Sequence, residues 1–289
     1  MKLSYIVNDK YENVKQVLKE EFNMSDRLTL KLKSNQKIYK NGQVALVNSN
    51  VTNNDLIEIY LNTEEDHSNI LPTKMDLDIL YEDEWMLILN KAPNLPIHPS
   101  RMHYEDSLSN GVSYYFDKIG LKKKIRPVNR LDKDTSGIVI FAKNEYIQEC
   151  LIKQMKQNIF KKEYIAIVEG ILGIKKGTIS LPISRKEGSI IEREINLNGD
   201  NAITHYEVIA EKNNMSKVHI LLETGRTHQI RVHFSHIGHP LIGDTLYGNA
   251  SSHIARQALH AYKISFIHPI SKEQMHFTCD LPEDMKINI

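Results

Sequence analysis

Two strings in this chain hold the residue types that could do chemistry. The first is Arg126-Pro127-Val128-Asn129-Arg130-Leu131-Asp132-Lys133-Asp134-Thr135-Ser136-Gly137, which runs into the apolar stretch Ile138–Ala142. An acid among bases stays ionised, because nearby cations favour the charged form. The Thr-Ser-Gly that follows suits a tight turn, which would hold the Asp132 carboxylate at the mouth of a sheet. The second string is Leu222-Glu223-Thr224-Gly225-Arg226-Thr227-His228-Gln229-Ile230-Arg231-Val232-His233-Phe234. It opens on a glycine turn and is dense in hydrogen-bonding groups. A guanidinium can grip a carboxylate with two parallel hydrogen bonds, keeping it charged and aimed. Arg231 paired with Asp132 would do this.

Other chemistries compete for the same residues. The first string alone is equally a surface turn laced with ion pairs. Asp132-x-Asp134-Thr135 also matches the loose nucleophile pattern of aspartyl-phosphate phosphatases, but there the first Asp follows a hydrophobic strand, and here the strand comes after. Eight of the thirteen histidines fall between His219 and His268. His233, His236 and His239 could pass for metal ligands, yet spacing of i, i+3, i+6 spreads them around a helix. No cysteine or carboxylate complements them at zinc spacing. His228 and His233 are expected to structure the arginine-bearing turn.

The elements that must position these strings read as follows. Val14, Val17, Leu18 and Phe22 recur at helical spacing, while Leu28, Leu30 and Leu32 alternate with polar residues as a strand would. Asn41-Gly42 marks a hairpin between Ile38-Tyr39 and Val44–Val47, and Asp55–Leu61 reads as a closing strand. Residues 1–61 thus form a small unit, 62–74 a polar, acidic linker, and 75–289 one mixed α+β domain. Strands are expected at Leu87–Leu89, Ile138–Ala142, Tyr164–Val168 and Val218–Leu222. An amphipathic helix carries Ile147, Leu151 and Met155 on one face. Ile230, His233 and Phe234 could share another.

Composition bounds the class. The chain has 289 residues, 41% apolar and 25% charged, in the range of ordinary globular proteins. No apolar run approaches the ~18 residues of a membrane span, and the N-terminus lacks the apolar core of a secretory signal. Cys150 and Cys279 make no CxxC pair and read as thiols of a reducing compartment, which suggests the cytoplasm. Net charge is only +1, but it is unevenly spread. Between Lys118 and Lys133 seven bases face one acid, and between Lys153 and Glu163 four bases face one. Two basic clusters beside a motif point toward phosphate contacts.

Arg130-Leu131-Asp132 with Thr135-Ser136-Gly137, followed by Gly225–His233, resembles the pseudouridine synthase family of the large-ribosomal-subunit type. Three further blocks fit in order: Tyr81-Glu82-Asp83 through Asn90-Lys91-Ala92-Pro93 to His98-Pro99-Ser100, then Lys161–Gly170, then Leu259-His260-Ala261 before Phe266-His268-Pro269. The resemblance covers roughly residues 75–285. Asn129 stands where the family most often has His, and Ala92 where it commonly has Pro. Residues 1–61 resemble a degenerate S4-type RNA-binding domain.

The resemblance implies an α+β fold with a bent, mainly antiparallel mixed sheet split by a central cleft. The implied reaction is isomerisation of uridine to pseudouridine in RNA, ribosomal rather than transfer RNA, by a monomer without a membrane segment. Atoms are conserved, so it implies no cofactor and no metal. Asp132 becomes the catalytic carboxylate, attacking the ribose carbon or removing a ribose proton to give a glycal. Arg231 becomes its salt-bridge partner. Tyr164 becomes the ring against uracil, where stacking is worth about 1–3 kcal/mol. Arg130 would help displace the target base, and Ile230 would help dry the pocket. Arg226, His228 and Gln229 would line the base site, with Lys122, Lys123, Lys124, Lys161 and Lys162 near the RNA backbone. Two other classes stay in view: a noncatalytic RNA-binding protein that kept the fold, and a phosphate-processing hydrolase using Asp132.

Overall fold

The computed structural model describes residues 1–8, 10–61, 65, 69–287 and 289. The N-terminal unit holds β1 (Lys2–Ile6), α1 (Val14–Glu20), α2 (Asp26–Ser34), β2 (Ile38–Lys40), β3 (Gln43–Val44) and β4 (Leu56–Tyr60). Its antiparallel sheet runs β1-β4-β2-β3. Asn41 and Gly42 both have positive φ, which a two-residue hairpin of this hand requires. Leu28, Leu30 and Leu32, expected as a strand, are helical. Ser25 caps the helix by accepting the Leu28 N–H at 3.1 Å, and the i, i+4 pair Leu28 and Leu32 is buried while Leu30 is 63% exposed. Residues 62–64 and 66–68 of the expected linker lie outside the described residues.

The larger part contains β5 (Ile79–Glu82), β6 (Met86–Lys91), α3 (Leu108–Lys118), β7 (Ser136–Ala142), α4 (Glu145–Lys156), β8 (Lys161–Glu169), β9 (Lys176–Ser180), β10 (Ile183–Arg185), β11 (Arg193–Ile195), β12 (Ile203–Lys212), β13 (Met215–Leu222), α5 (Gln229–His236), β14 (Leu259–Ile267) and β15 (Gln274–Thr278). Its nine-stranded sheet runs β5-β6-β7-β14-β8-β13-β12-β9, with β15 beside β14. Every pairing is antiparallel except β7 with β14, which spans only His260–Ser136 and Ala261–Gly137. Farther along, β14 leaves β7 and pairs through Lys263–Ile267 with β15. The sheet therefore divides at β14, and the site lies over that division. The short hairpin β10–β11 stands apart from the sheet.

β7 is buried on both faces, hence its unbroken apolar sequence. Val139 and Phe141 pack on α3 through Val112 and Phe116. Ile138 and Ile140 join Ile147 and Leu151 of α4 and the N-terminal residues Val17, Leu18, Leu28 and Ile59 in one continuous core. Polar ties reinforce that junction. Lys31 reaches Glu145 at 2.6 Å and Glu65 at 3.1 Å, Ser25 reaches Glu149 at 2.8 Å, and Arg126 holds Glu65 with two nitrogens at 2.7 and 2.8 Å. Glu65, expected in the polar, acidic linker, is a half-buried clamp between the two units.

Gly137 has a different task from the turn its neighbours suggested. It lies inside β7 with φ of 114°, and a Cβ there would sit 2.2 Å from the Ala261 carbonyl oxygen. Only glycine permits this close approach of β7 to β14. Gly137→Ala should destabilise the protein by about 3 kcal/mol, measured as a lowered guanidinium midpoint. A midpoint equal to wild type would show that the two strands can separate freely.

Candidate active site

A cavity of about 420 Å³ opens where the two halves of the sheet meet. The loop before β7 brings Asp132 to it, β8 brings Tyr164 and Lys162, and the turn into α5 brings Arg226 through Arg231. The Asp132 loop is held from several directions. Thr135 N–H donates to the Asp132 carbonyl at 3.1 Å, closing the turn. The ammonium of Lys91, only 1% exposed, donates to the carbonyls of Ala92, Leu95 and Lys133 at 2.8–2.9 Å. Arg256 donates to the Asp134 carbonyl at 2.9 Å. Asn129 is buried, its amide donating to the Ile138 carbonyl and accepting the Ile140 N–H, both at 2.9 Å. One amide thus satisfies both a donor and an acceptor of β7, and Asn is well suited to that place.

Asp132 and Arg231 meet as expected, with Nη1 donating to Oδ2 at 3.1 Å. The pairing is nevertheless not the bidentate grip foreseen. That grip belongs to Asp244, whose Oδ2 and Oδ1 accept Nε and Nη2 at 2.7 and 2.8 Å. The Asp244 side chain is fully buried and also accepts the N–H groups of Leu246 and Tyr247. The Arg231 guanidinium lies 5.1 Å over the Tyr247 ring. Burial opposes its charge, but Asp244 and Asp132 outweigh this and hold its pKa above the ordinary value. Sequence reasoning missed Asp244 and Tyr247. The usable signal was arithmetic: a guanidinium has five N–H donors, and Asp132 alone could not satisfy them in a buried place.

The other expected residues divide. Tyr164 lines the cavity together with Ile230, Leu222 and Leu259, and burial, then the charge of Asp132, push its phenol pKa up. Arg130 is exposed at the rim, beside His98, whose pKa is lowered by burial and by that guanidinium. Lys162 lines the cavity with its pKa lowered by burial, while Lys161 is half-buried on the same strand. Arg226 is partly exposed and donates from Nε to the Asn201 carbonyl at 2.9 Å. Gln229 borders the cavity, but its amide is committed elsewhere. It donates to Ile203 and Thr204 and accepts from Thr224 and Arg226, so it braces the turn and has no spare group for a base. Lys123, expected near the RNA backbone, points inward. It is buried, with Nζ on the Leu61 carbonyl at 3.1 Å, and it serves the junction with the N-terminal unit, whereas Lys122 and Lys124 are exposed.

His233 donates from Nε2 to the Leu181 carbonyl and meets Thr204 Oγ1 through Nδ1, both at 2.9 Å, and so braces α5. His239 contacts the Glu169 carbonyl at 2.8 Å. Among the described residues no three His, Cys, Asp or Glu side chains gather as a metal-binding group. The arrangement offers a carboxylate held by an arginine, an aromatic ring with a protonated hydroxyl, and a basic rim. That suits an anionic polymer bearing a planar base.

A family model described as RNA pseudouridylate synthase matches residues 85–236. The chain is 41% identical over 266 residues to the uncharacterised RNA pseudouridine synthase YjbO of Bacillus subtilis (strain 168), covering 92% of this chain and 94% of that one. It is 37% identical over 272 residues to ribosomal large subunit pseudouridine synthase D of Blochmanniella floridana, covering 87% and 85%. Among solved structures it is similar to human RNA pseudouridylate synthase domain containing 1, with a TM-score of 0.60 and 27% identity over 72% of this chain and 84% of that one.

Proposed function

The chain belongs to the RNA pseudouridylate synthase family and is an RNA pseudouridine synthase, and from that premise we propose that Asp132 is the carboxylate that drives the isomerisation, with ribosomal RNA as substrate. The observation that carries the assignment is the asymmetry of this carboxylate. Arg231 donates to Oδ2, while no protein hydrogen bond reaches Oδ1 among the described residues. An oxygen left without a protein partner at a cavity wall is the one available to a ribose.

In the reaction the N1–C1′ bond breaks, uracil rotates, C5 bonds to C1′, and the C5 proton leaves as N1 gains one. Asp132 attacks C1′ or takes a neighbouring ribose proton. Arg231 holds it in place in either route. Tyr164 supplies a flat wall for the detached uracil, and Ile230 and Leu222 help exclude water from it. Arg130 at the rim offsets part of the few kcal/mol that base flipping costs. Residues 1–61 act as an S4-like RNA-binding unit and 75–289 as the catalytic domain. No described helix is long and apolar enough to cross a membrane; a monomer working in the cytoplasm is part of the proposal.

The test is tritium release from C5-labelled uridine in unmodified ribosomal and transfer RNA, offered separately. Release from ribosomal RNA supports the substrate; release from transfer RNA alone refutes it. Lys122 and Lys124 are proposed to face the RNA backbone. Replacing both by Ala should make the plot of log Kd against log salt shallower by roughly 1.5, at about 0.7–0.9 per phosphate contact. An unchanged slope removes them from the interface.

A further inference from the structure

His228 immediately precedes α5 in the left-handed region, with φ of 58°, and its ring lines the cavity. Its Nδ1 lies 2.8 Å from the Tyr247 hydroxyl. That hydroxyl already accepts the Arg193 N–H, also at 2.8 Å, from β11. A phenol that accepts one hydrogen bond has its own hydrogen left to donate, and Nδ1 is the acceptor within reach. The imidazole then carries its proton on Nε2. This nitrogen is 3.9 Å from Asp132 Oδ2, on the oxygen that Arg231 already contacts.

We propose that His228 is a positioning residue for Asp132. The chain of contacts from Arg193 through Tyr247 fixes its Nε2–H tautomer, and that N–H, with Arg231, engages Oδ2 so that Oδ1 is the oxygen presented to the ribose. The inference rests on the reading of Asp132 above. At 3.9 Å the contact is longer than a hydrogen bond. It closes when RNA fills the cavity, as catalytic hydrogen bonds commonly tighten on substrate binding. The charges around the ring are Asp132 before β7, Arg231 on α5, Arg193 on β11 and Asp244 beyond α5. Burial first, then the two arginines, lowers the imidazole pKa against the pull of the two aspartates, so the neutral tautomer is favoured. The proposal also links β10–β11 to the chemistry, because the backbone of Arg193 orients the hydroxyl that selects the tautomer.

Single-turnover isomerisation and RNA affinity of the full chain test this, alongside nitrogen NMR of histidine-labelled protein. His228→Ala is expected to slow turnover roughly a hundredfold, the cost of a misplacement near 1 Å, with the RNA Kd unchanged. His228→Gln, whose amide can donate from the Nε2 position, should recover most of the rate. Wild type should show the Nε2–H tautomer, and the nearly isosteric Tyr247→Phe should admit the Nδ1–H form and slow turnover. A His228→Ala enzyme with the native rate, a loss confined to Kd, or an Nδ1–H tautomer in wild type would each overturn the proposal. If His228→Ala does not fold, the Gln and Phe variants decide. Asp132→Asn is run in parallel: should it stay active, the reading of Asp132 fails, whereas an inactive Asp132→Asn beside a fully active His228→Ala removes only His228.

Discussion

Asp132→Asn should isomerise uridine at least about a thousandfold more slowly than wild type, the scale of losing a proton-transfer or nucleophilic group. The amide keeps the shape of the carboxylate, but it can neither attack C1′ nor take a ribose proton. RNA affinity should barely change, since the basic rim and the Tyr164 wall stay in place. Stability should change little as well. Arg231 keeps both bonds to Asp244 when its single bond to Asp132 weakens, and Asp132 is partly solvent-exposed. Tritium release under single-turnover conditions, paired with filter binding to the same RNA, checks both halves. A variant that turns over at the native rate would end the assignment of Asp132. A variant that loses binding in proportion to rate would make Asp132 an RNA contact.

The second large effect concerns a residue outside the reaction. Asp244→Ala leaves the Arg231 guanidinium with most of its donors unpaired in a buried place. Removing one partner of a buried pair costs about 3–5 kcal/mol, because the survivor must stay charged without compensation. For a protein of this size that lowers Tm by roughly 6–20 °C, at about 2–4 °C per kcal/mol. Turnover should fall too, because Arg231 becomes free to swing fully onto Asp132 and take up the oxygen that Asp244 kept available. Asp244→Asn, with its amide oxygen in the place of Oδ1, keeps the contacts to Arg231 Nη2 and to the Leu246 and Tyr247 N–H groups but sets an NH2 against Nε, and it should lie between wild type and Ala. Thermal unfolding and single-turnover rates measured together decide the matter. If Asp244→Ala unfolds at the wild-type temperature, Asp244 does not anchor Arg231.

The readable parts of this molecule were those whose evidence is local. The strands β6, β7, β8 and β13 and the helix α4 announced themselves by apolar runs or i+4 spacing, and the Asn41-Gly42 hairpin by its turn chemistry. Three leucines at alternate positions suit a strand, but two of them are also an i, i+4 pair. The tie is broken by a cap at Ser25, three residues before the first leucine. The Asp132–Arg231 contact was legible because both residues lie in unusual strings. Asp244 was not, because a buried carboxylate in a loop thirteen residues after its arginine has no local pattern. Lys123 was misjudged for a related reason: a basic run shows that charge is present, and only packing shows which side chain turns inward. Gln229 showed the same limit, since hydrogen-bonding capacity in a sequence does not reveal what has already consumed it.

The place of β14 in the sheet bears on when the enzyme comes alive during its own synthesis. This strand is built from residues 259–267, yet it lies between β7 and β8, which are complete by residues 142 and 169. The loop that carries Asp132 is on one side of it, and the strand and helix that carry Tyr164 and Arg231 are on the other. Pairings so distant in sequence form late in folding. Until β14 has slotted between its neighbours, the carboxylate on one side has no fixed relation to the ring and guanidinium on the other. The site is therefore completed only when β14 joins β7 to β8, however early those two strands are made.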